Sequence, residues 1–216
     1  MRQRKAKDLE RRLEECAYLM IREPSRDRWD AYFERSADTF VEIGCGKGDF
    51  IIQKARDNPE RNYIAVEGQE TVILRAMEKV IALEEEGVRL PNLRFLCAFV
   101  EDARDLFPEG SLSGIYLNFS DPWPKARHAK RRLTYRNRLN NYALVVKEGG
   151  TLEFKTDNDD LYDFTLEEIR GTGYPILEET RDLHRSDYES RLTMTEYEKK
   201  FTYRGKTIKY VKIALR

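Results

Sequence analysis

Three glycines at alternate positions carry the first chemical signal: Phe40-Val-Glu-Ile-Gly44-Cys-Gly46-Lys-Gly48-Asp runs from an apolar stretch straight into a glycine turn and then a helical pattern. A turn without Cβ atoms lets a ligand lie against the backbone, and in open α/β sheets that place is the carboxyl end of the strands. A dinucleotide fingerprint, G-x-G-x-x-G counted from Gly44, would need a third glycine where Asp49 stands, so a pyrophosphate ligand fails on spacing. Glu67 ends the next apolar run and is placed to accept hydrogen bonds from two ribose hydroxyls. A second segment, Asn118-Phe-Ser-Asp121-Pro-Trp123-Pro-Lys125, has two prolines that pin a rigid loop beside an acid, with Trp123 able to stack on a base or simply to pack. Arg127, His128, Lys130, Arg131 and Arg132 follow; from Pro122 to Lys147 eight Lys and Arg face no acidic residue. Such a tract suits phosphates, although many charge runs are only solvated surface.

The pattern E-x-G-x-G-x-G, with Glu42 and the glycines Gly44, Gly46 and Gly48, resembles the class I S-adenosylmethionine methyltransferases. Asn118 to Lys125 with Arg127 to Arg132, then Lys155-Thr-Asp157-Asn and Thr195-Glu196-Tyr197-Glu198, together resemble the bacterial TrmB family of tRNA (guanine-N7-)-methyltransferases from about residue 38 onward. That resemblance implies S-adenosyl-L-methionine as methyl donor, contacted by Glu42, Glu67 and Asp121. It implies a substrate site at Lys125, Asp157 and Thr195 to Glu198, and RNA contacts from Arg127 to Arg132. The target it implies is the variable-loop guanine of tRNA, conventionally position 46. One departure from the family pattern is visible: the position near the adenine holds Phe99, while Asp102 with Ala103 restores an Asp-Ala pair three residues later. Either Phe99 or Asp102 is expected at the adenine, and Phe99 could equally end a strand in the core.

The elements that must hold these residues follow from periodicity. Short apolar runs alternate with amphipathic segments, the pattern of a mostly parallel sheet with crossover helices and hence of a Rossmann-like α/β fold. Strands are expected over 39–43, 62–67, 93–99, 114–119 and 151–155, and helices over 49–58, 69–87, 133–147 and 159–170. Two further strands, 176–183 and 201–215, the second broken at Arg204-Gly205, flank a polar loop and predict an antiparallel edge pair. Residues 1–38 read as a helix (7–20) with a basic arm, and 39–216 as the methyltransferase domain. The arm contributes a second cationic patch, Arg2, Arg4, Lys5, Lys7, Arg11 and Arg12.

With 216 residues, 39 Lys plus Arg against 39 Asp plus Glu and 40% hydrophobic residues, the chain can form a real core and lacks the composition of a disordered protein. No apolar run approaches the roughly 18 residues of a membrane span, and a cytoplasmic protein with no membrane partner is expected. Cys16, Cys45 and Cys97 lack metal-ligand spacing, and two distant histidines add no metal site. Methylation at guanine N7 releases no proton, so Asp121 and Asp157 are expected to orient the base and stabilise its developing charge rather than act as a base. Two residue groups have a second reading: Asp157 beside Asp159 and Asp160 could cap a helix, and Thr195-x-x-Glu198 matches a capping box. Rival functions are a methyltransferase of small molecules or proteins, and a non-catalytic RNA-binding module on the same fold.

Overall fold

β-branched and aromatic residues concentrate where strands form. The computed structural model describes residues 7–22, 29–203 and 205–216. Contacts divide the chain into two compact units, one up to Val100 and one from Glu101 onward.

In the first unit, β1 (Thr39–Ile43), β2 (Asn62–Glu67) and β3 (Leu93–Cys97) are parallel and ordered β3-β2-β1. Val41, Ile64, Ala65 and Phe95 are almost fully buried, as expected of strands covered on both faces. The crossover helices are α2 (Asp49–Asp57) and α3 (Glu70–Glu85). The first buries Phe50, Ile51, Ile52 and Ala55, and the second buries Ile73, Leu74, Ala76, Met77 and Val80. Instead of one helix over 7–20, α1 (Leu9–Glu15) is followed by a 3-10 turn at Ala17–Leu19. This segment is anchored: Ile21 donates its N–H to Phe95 at 2.8 Å, and Cys16, Leu19 and Ile21 are buried. Arg12 pairs with Glu78 of α3.

The second unit contains β4 (Leu112–Asn118), β5 (Val146–Thr156), β6 (Ile176–Thr180) and β7 (Lys209–Ala214), ordered β4-β5-β7-β6. β4 and β5 are parallel; β7 is antiparallel to both β5 and β6. The expected antiparallel strands are therefore present. Helices α4 (Arg136–Val145) and α5 (Asp159–Thr172) are clipped together by Arg136, whose guanidinium donates to Glu168 at 3.0 and 3.2 Å. The boundaries differ most in the tail. Residues 201–202 belong to α6 (Glu196–Thr202), and the strand begins only at Lys209. The capping box at Thr195 starts a helix that carries Phe201 with it, overriding the β-propensity of its aromatic residues. Arg204, expected in the turn, lies outside the described residues.

Candidate active site

Of the predicted donor-binding residues, Glu42, Gly44, Gly46, Gly48, Glu67 and Phe99 lie in the first unit, and Asp102 and Asp121 in the second. Gly44 and Gly46 adopt φ of 80° and 58°, and a Cβ built on either meets nothing within 4 Å, so the loop has open space in front of its backbone. Glu67 closes β2 and fastens that loop: its Oε2 accepts from Gly46 N at 3.2 Å and its Oε1 from Gln69 N at 3.0 Å. Each carboxylate oxygen keeps a further lone pair, which suits ribose hydroxyls. Glu42 is buried within β1. Gly48 has a packing role as the residue before α2, since a Cβ there would lie 2.8 Å from the Ala76 Cβ. Burial pushes the Cys45 thiol well up, and the neighbouring Glu42 and Glu67 add to the shift, which leaves it protonated and unreactive. Phe99 lies beyond the end of β3 and is not core: it is 75% exposed, with its ring so close to Gly68 that a Cβ there would push the ring aside.

The second unit holds a cleft of about 640 Å³ after β4 and β5. Its lining includes Phe119, Ser120, Asp121, Asp157, Tyr197 and Lys206. Phe119 and Trp123 flank Asp121 with φ of 52° and 41°, left-handed conformations that bulky residues rarely adopt. The strain is held in place. Phe119 N donates to Lys155 O at 2.9 Å, and Arg132 donates to the carbonyls of Pro122 and Trp123, both at 3.0 Å. Asp121 itself is exposed.

Asn158, rather than Asp157, caps α5: its Oδ1 accepts from Leu161 N at 2.7 Å. Asp157 is thereby left to face the cleft, where its Oδ2 accepts from Lys206 Nζ at 2.9 Å. Lys209 Nζ holds the Asp157 carbonyl from behind at 3.2 Å. Tyr197 forms an aromatic wall with Phe119, centroids 5.0 Å apart, and stacks on Phe201 at 4.1 Å. Burial, then the Asp157 charge, raises the Tyr197 phenol, so it stays protonated.

Thr195 and Glu198 serve the backbone. Thr195 Oγ1 accepts from Glu198 N at 2.8 Å, and Thr195 N donates to Glu198 Oε2 at 3.3 Å, which closes the capping box. Glu198 is wholly buried, 3.5 Å from Lys155 Nζ and 3.1 Å from His184 Nε2. Lys155, also buried, donates to the carbonyls of Ser190 and Thr193 at 2.6 and 2.9 Å. Glu196 is exposed in the first turn of α6.

The basic tract is not uniform. Arg132 braces the proline loop and lies over Phe164, 4.2 Å from the ring centroid. Arg131 lies over Trp123 at 4.8 Å, and His128 meets the same indole edge-on at 5.7 Å. Lys125, Arg127, Lys130 and Arg131 are exposed. Asp102 accepts from Arg104 N and from its guanidinium, whose hydrogen bonds hold its carboxyl below the usual range. Sequence reasoning assigned no role to Lys206, Phe119 or Ser120, whose buried Oγ has no hydrogen-bond partner among the described residues. Phe119 and Ser120 stand inside a motif already singled out by its prolines; Lys206 sat in an expected strand.

A glycine loop after β1, an acid ending β2 and a mostly parallel sheet closed by antiparallel strands define the class I methyltransferase fold. Solved structures agree: a 16S rRNA methyltransferase, KamB, superposes with a TM-score of 0.63 over 99% of this chain and 95% of that one at 15% identity. An antibiotic-related methyltransferase gives 0.61 over 91% and 96% at 18% identity. Residues 36–211 match the family model described as "Putative methyltransferase". The tRNA (guanine-N(7)-)-methyltransferase of Halalkalibacterium halodurans is 42% identical over 192 residues, 88% of this chain and 84% of that protein. The Limosilactobacillus reuteri protein of the same name is 43% identical over 183 residues, 85% and 84%. The chain belongs to the TrmB family of tRNA (guanine-N7-)-methyltransferases.

Proposed function

We propose that this protein transfers a methyl group from S-adenosylmethionine to N7 of guanine in tRNA, at the variable-loop guanine. The observation that carries the reading is the cleft beside β4 and β5, where an aromatic wall of Phe119 and Tyr197 meets the carboxylates of Asp121 and Asp157. Aromatic faces take bases, and carboxylates accept from the donors on a guanine edge. Acidic walls also repel phosphate, so the cleft suits a base while the exposed cations Lys125, Arg127, Lys130 and Arg131 suit the RNA backbone.

S-adenosylmethionine supplies an electrophilic methyl group on a sulfonium. The loop at Gly44 and Gly46 and the carboxylate of Glu67 are the groups that fit its backbone-lying and ribose portions. Phe99 offers an exposed ring for the adenine, whereas Asp102 is committed to Arg104. The guanine N7 lone pair lies in the ring plane and carries no hydrogen, so the protein has no proton to remove. Asp121 and Asp157 orient the base and stabilise the positive charge that the ring acquires. Alignment is then the larger contribution, of the order of 7–11 kcal/mol in well-oriented systems.

The test is methyl transfer from labelled S-adenosylmethionine to unmodified tRNA transcripts, read by nucleoside mass spectrometry. N7-methylguanosine is expected with guanine in the variable loop and none with adenine there. Donor binding with no labelled tRNA would instead favour a small-molecule or protein substrate, and loss of donor binding a plain RNA-binding module.

A further inference from the structure

Lys206 lies in the turn between α6 and β7, half-exposed, with its Nζ 5.2 Å from the Phe201 ring centroid. It donates to Asp157, whose carboxylate is 13% exposed, at the edge of the wall that Tyr197 and Phe119 form. One ammonium and one carboxylate thus stand side by side, a donor followed by two acceptor oxygens. We propose that Lys206 and Asp157 together read the Watson–Crick edge of the target guanine: the carboxylate accepts from N1–H and N2–H, and the ammonium donates to O6. This inference rests on the tRNA guanine reading above and names the group that selects the base.

Along that edge guanine presents an acceptor at O6 and donors at N1 and N2, the complement of the ion pair. Adenine presents a donor at N6, which would face the ammonium, and an acceptor at N1, which would face the carboxylate. Both contacts become repulsive or unsatisfied, and mismatched buried polar groups discriminate far more strongly than lost apolar area. Gripping the Watson–Crick edge leaves N7, on the opposite side of the purine, free to react. Each carboxylate oxygen has two lone pairs, so Asp157 can accept from the base without releasing Lys206. The bond between the two residues also keeps both aimed before the base arrives, which reduces the ordering cost of binding.

The decisive experiment is single-turnover methylation by wild type, Lys206→Met and Lys206→Arg, using ligated tRNAs whose target guanine is guanine, 6-thioguanine or inosine. A thiocarbonyl is a poor acceptor, so wild type is expected to slow about ten- to hundredfold on 6-thioguanine, the range for one charge-assisted hydrogen bond. Lys206→Met is expected to lose a similar factor on guanine and nothing more on 6-thioguanine. Inosine, which lacks N2, should cost both enzymes alike, and Lys206→Arg should restore part of the O6 dependence. If Lys206→Met keeps the full penalty for 6-thioguanine, or methylates guanine as fast as wild type, the assignment is wrong. Melting curves verify that the variant is folded; should Lys206→Met melt early, Lys206→Gln, a neutral donor, must show an intermediate 6-thioguanine penalty or the assignment also fails. Absence of methylation by wild type itself would overturn the underlying function instead.

Discussion

Asp121 stands on a backbone segment that no glycine relieves. The left-handed conformations of Phe119 and Trp123 cost roughly 1–3 kcal/mol each in sparsely populated φ/ψ space, and they persist because Arg132 and the Lys155 carbonyl hold them. The proposed function gives this exposed carboxylate on a constrained loop a ligand to hold rather than a part in stability. Asp121→Ala is accordingly expected to lower turnover about 10²- to 10³-fold, the usual loss when a preorganised charge-stabilising group is removed, while leaving the melting temperature unchanged. Wild-type turnover with saturating tRNA would refute the role. Asp121 and Asp157 stand out in the sequence through the family resemblance, beside the prolines and at a strand end. Lys206 does not, since its meaning depends on a turn that brings it to a residue 49 positions earlier.

At the scale of elements, α6 is a seven-residue helix, too short to persist alone, held by its capping box and by buried charge. Replacing Glu198 by Ala takes the counter-charge away from buried Lys155 and should destabilise the protein by about 3–5 kcal/mol. Thr195→Ala removes one cap and should cost about 1 kcal/mol. Urea unfolding of the two variants separates these values, and equal losses would mean that the buried pair carries no weight. The same helix shows where sequence reading falls short. Strands β1 and β2 were legible to the residue, because short stretches rich in β-branched and aromatic residues stand between polar turns. Phe201 favours strand by type, and only the local cap and the tertiary burial of Glu198 decide for a helix that runs to Thr202. Thr195-x-x-Glu198 reads in sequence as a cap or as a substrate site; the capping box is present, and Glu198 is buried, a depth that sequence does not display.

Over the whole molecule, a formal net charge of zero conceals how its cations are used. Arg12 and Arg22 pair with Glu78 and Glu14, Arg136 with Glu168, and Arg132 with loop carbonyls. In the arm, Arg11 pairs with Glu15, while Arg2, Arg4 and Lys5 lie outside the described residues. Affinity for tRNA is expected to fall with salt, and Arg131→Gln should flatten the log–log slope by about 0.7–0.9, one phosphate contact. Arg132→Gln should leave the slope alone and lower the melting temperature, a split that filter binding and calorimetry can read; identical slope changes would mean both arginines contact RNA. The buried position of Lys155 has a chemical corollary. An acylating reagent should modify the surface lysines Lys125 and Lys130 at once, yet reach Lys155 only when the 183–203 segment lifts away, so the lag before its acetylation, followed by mass spectrometry, clocks the opening of the fold from within.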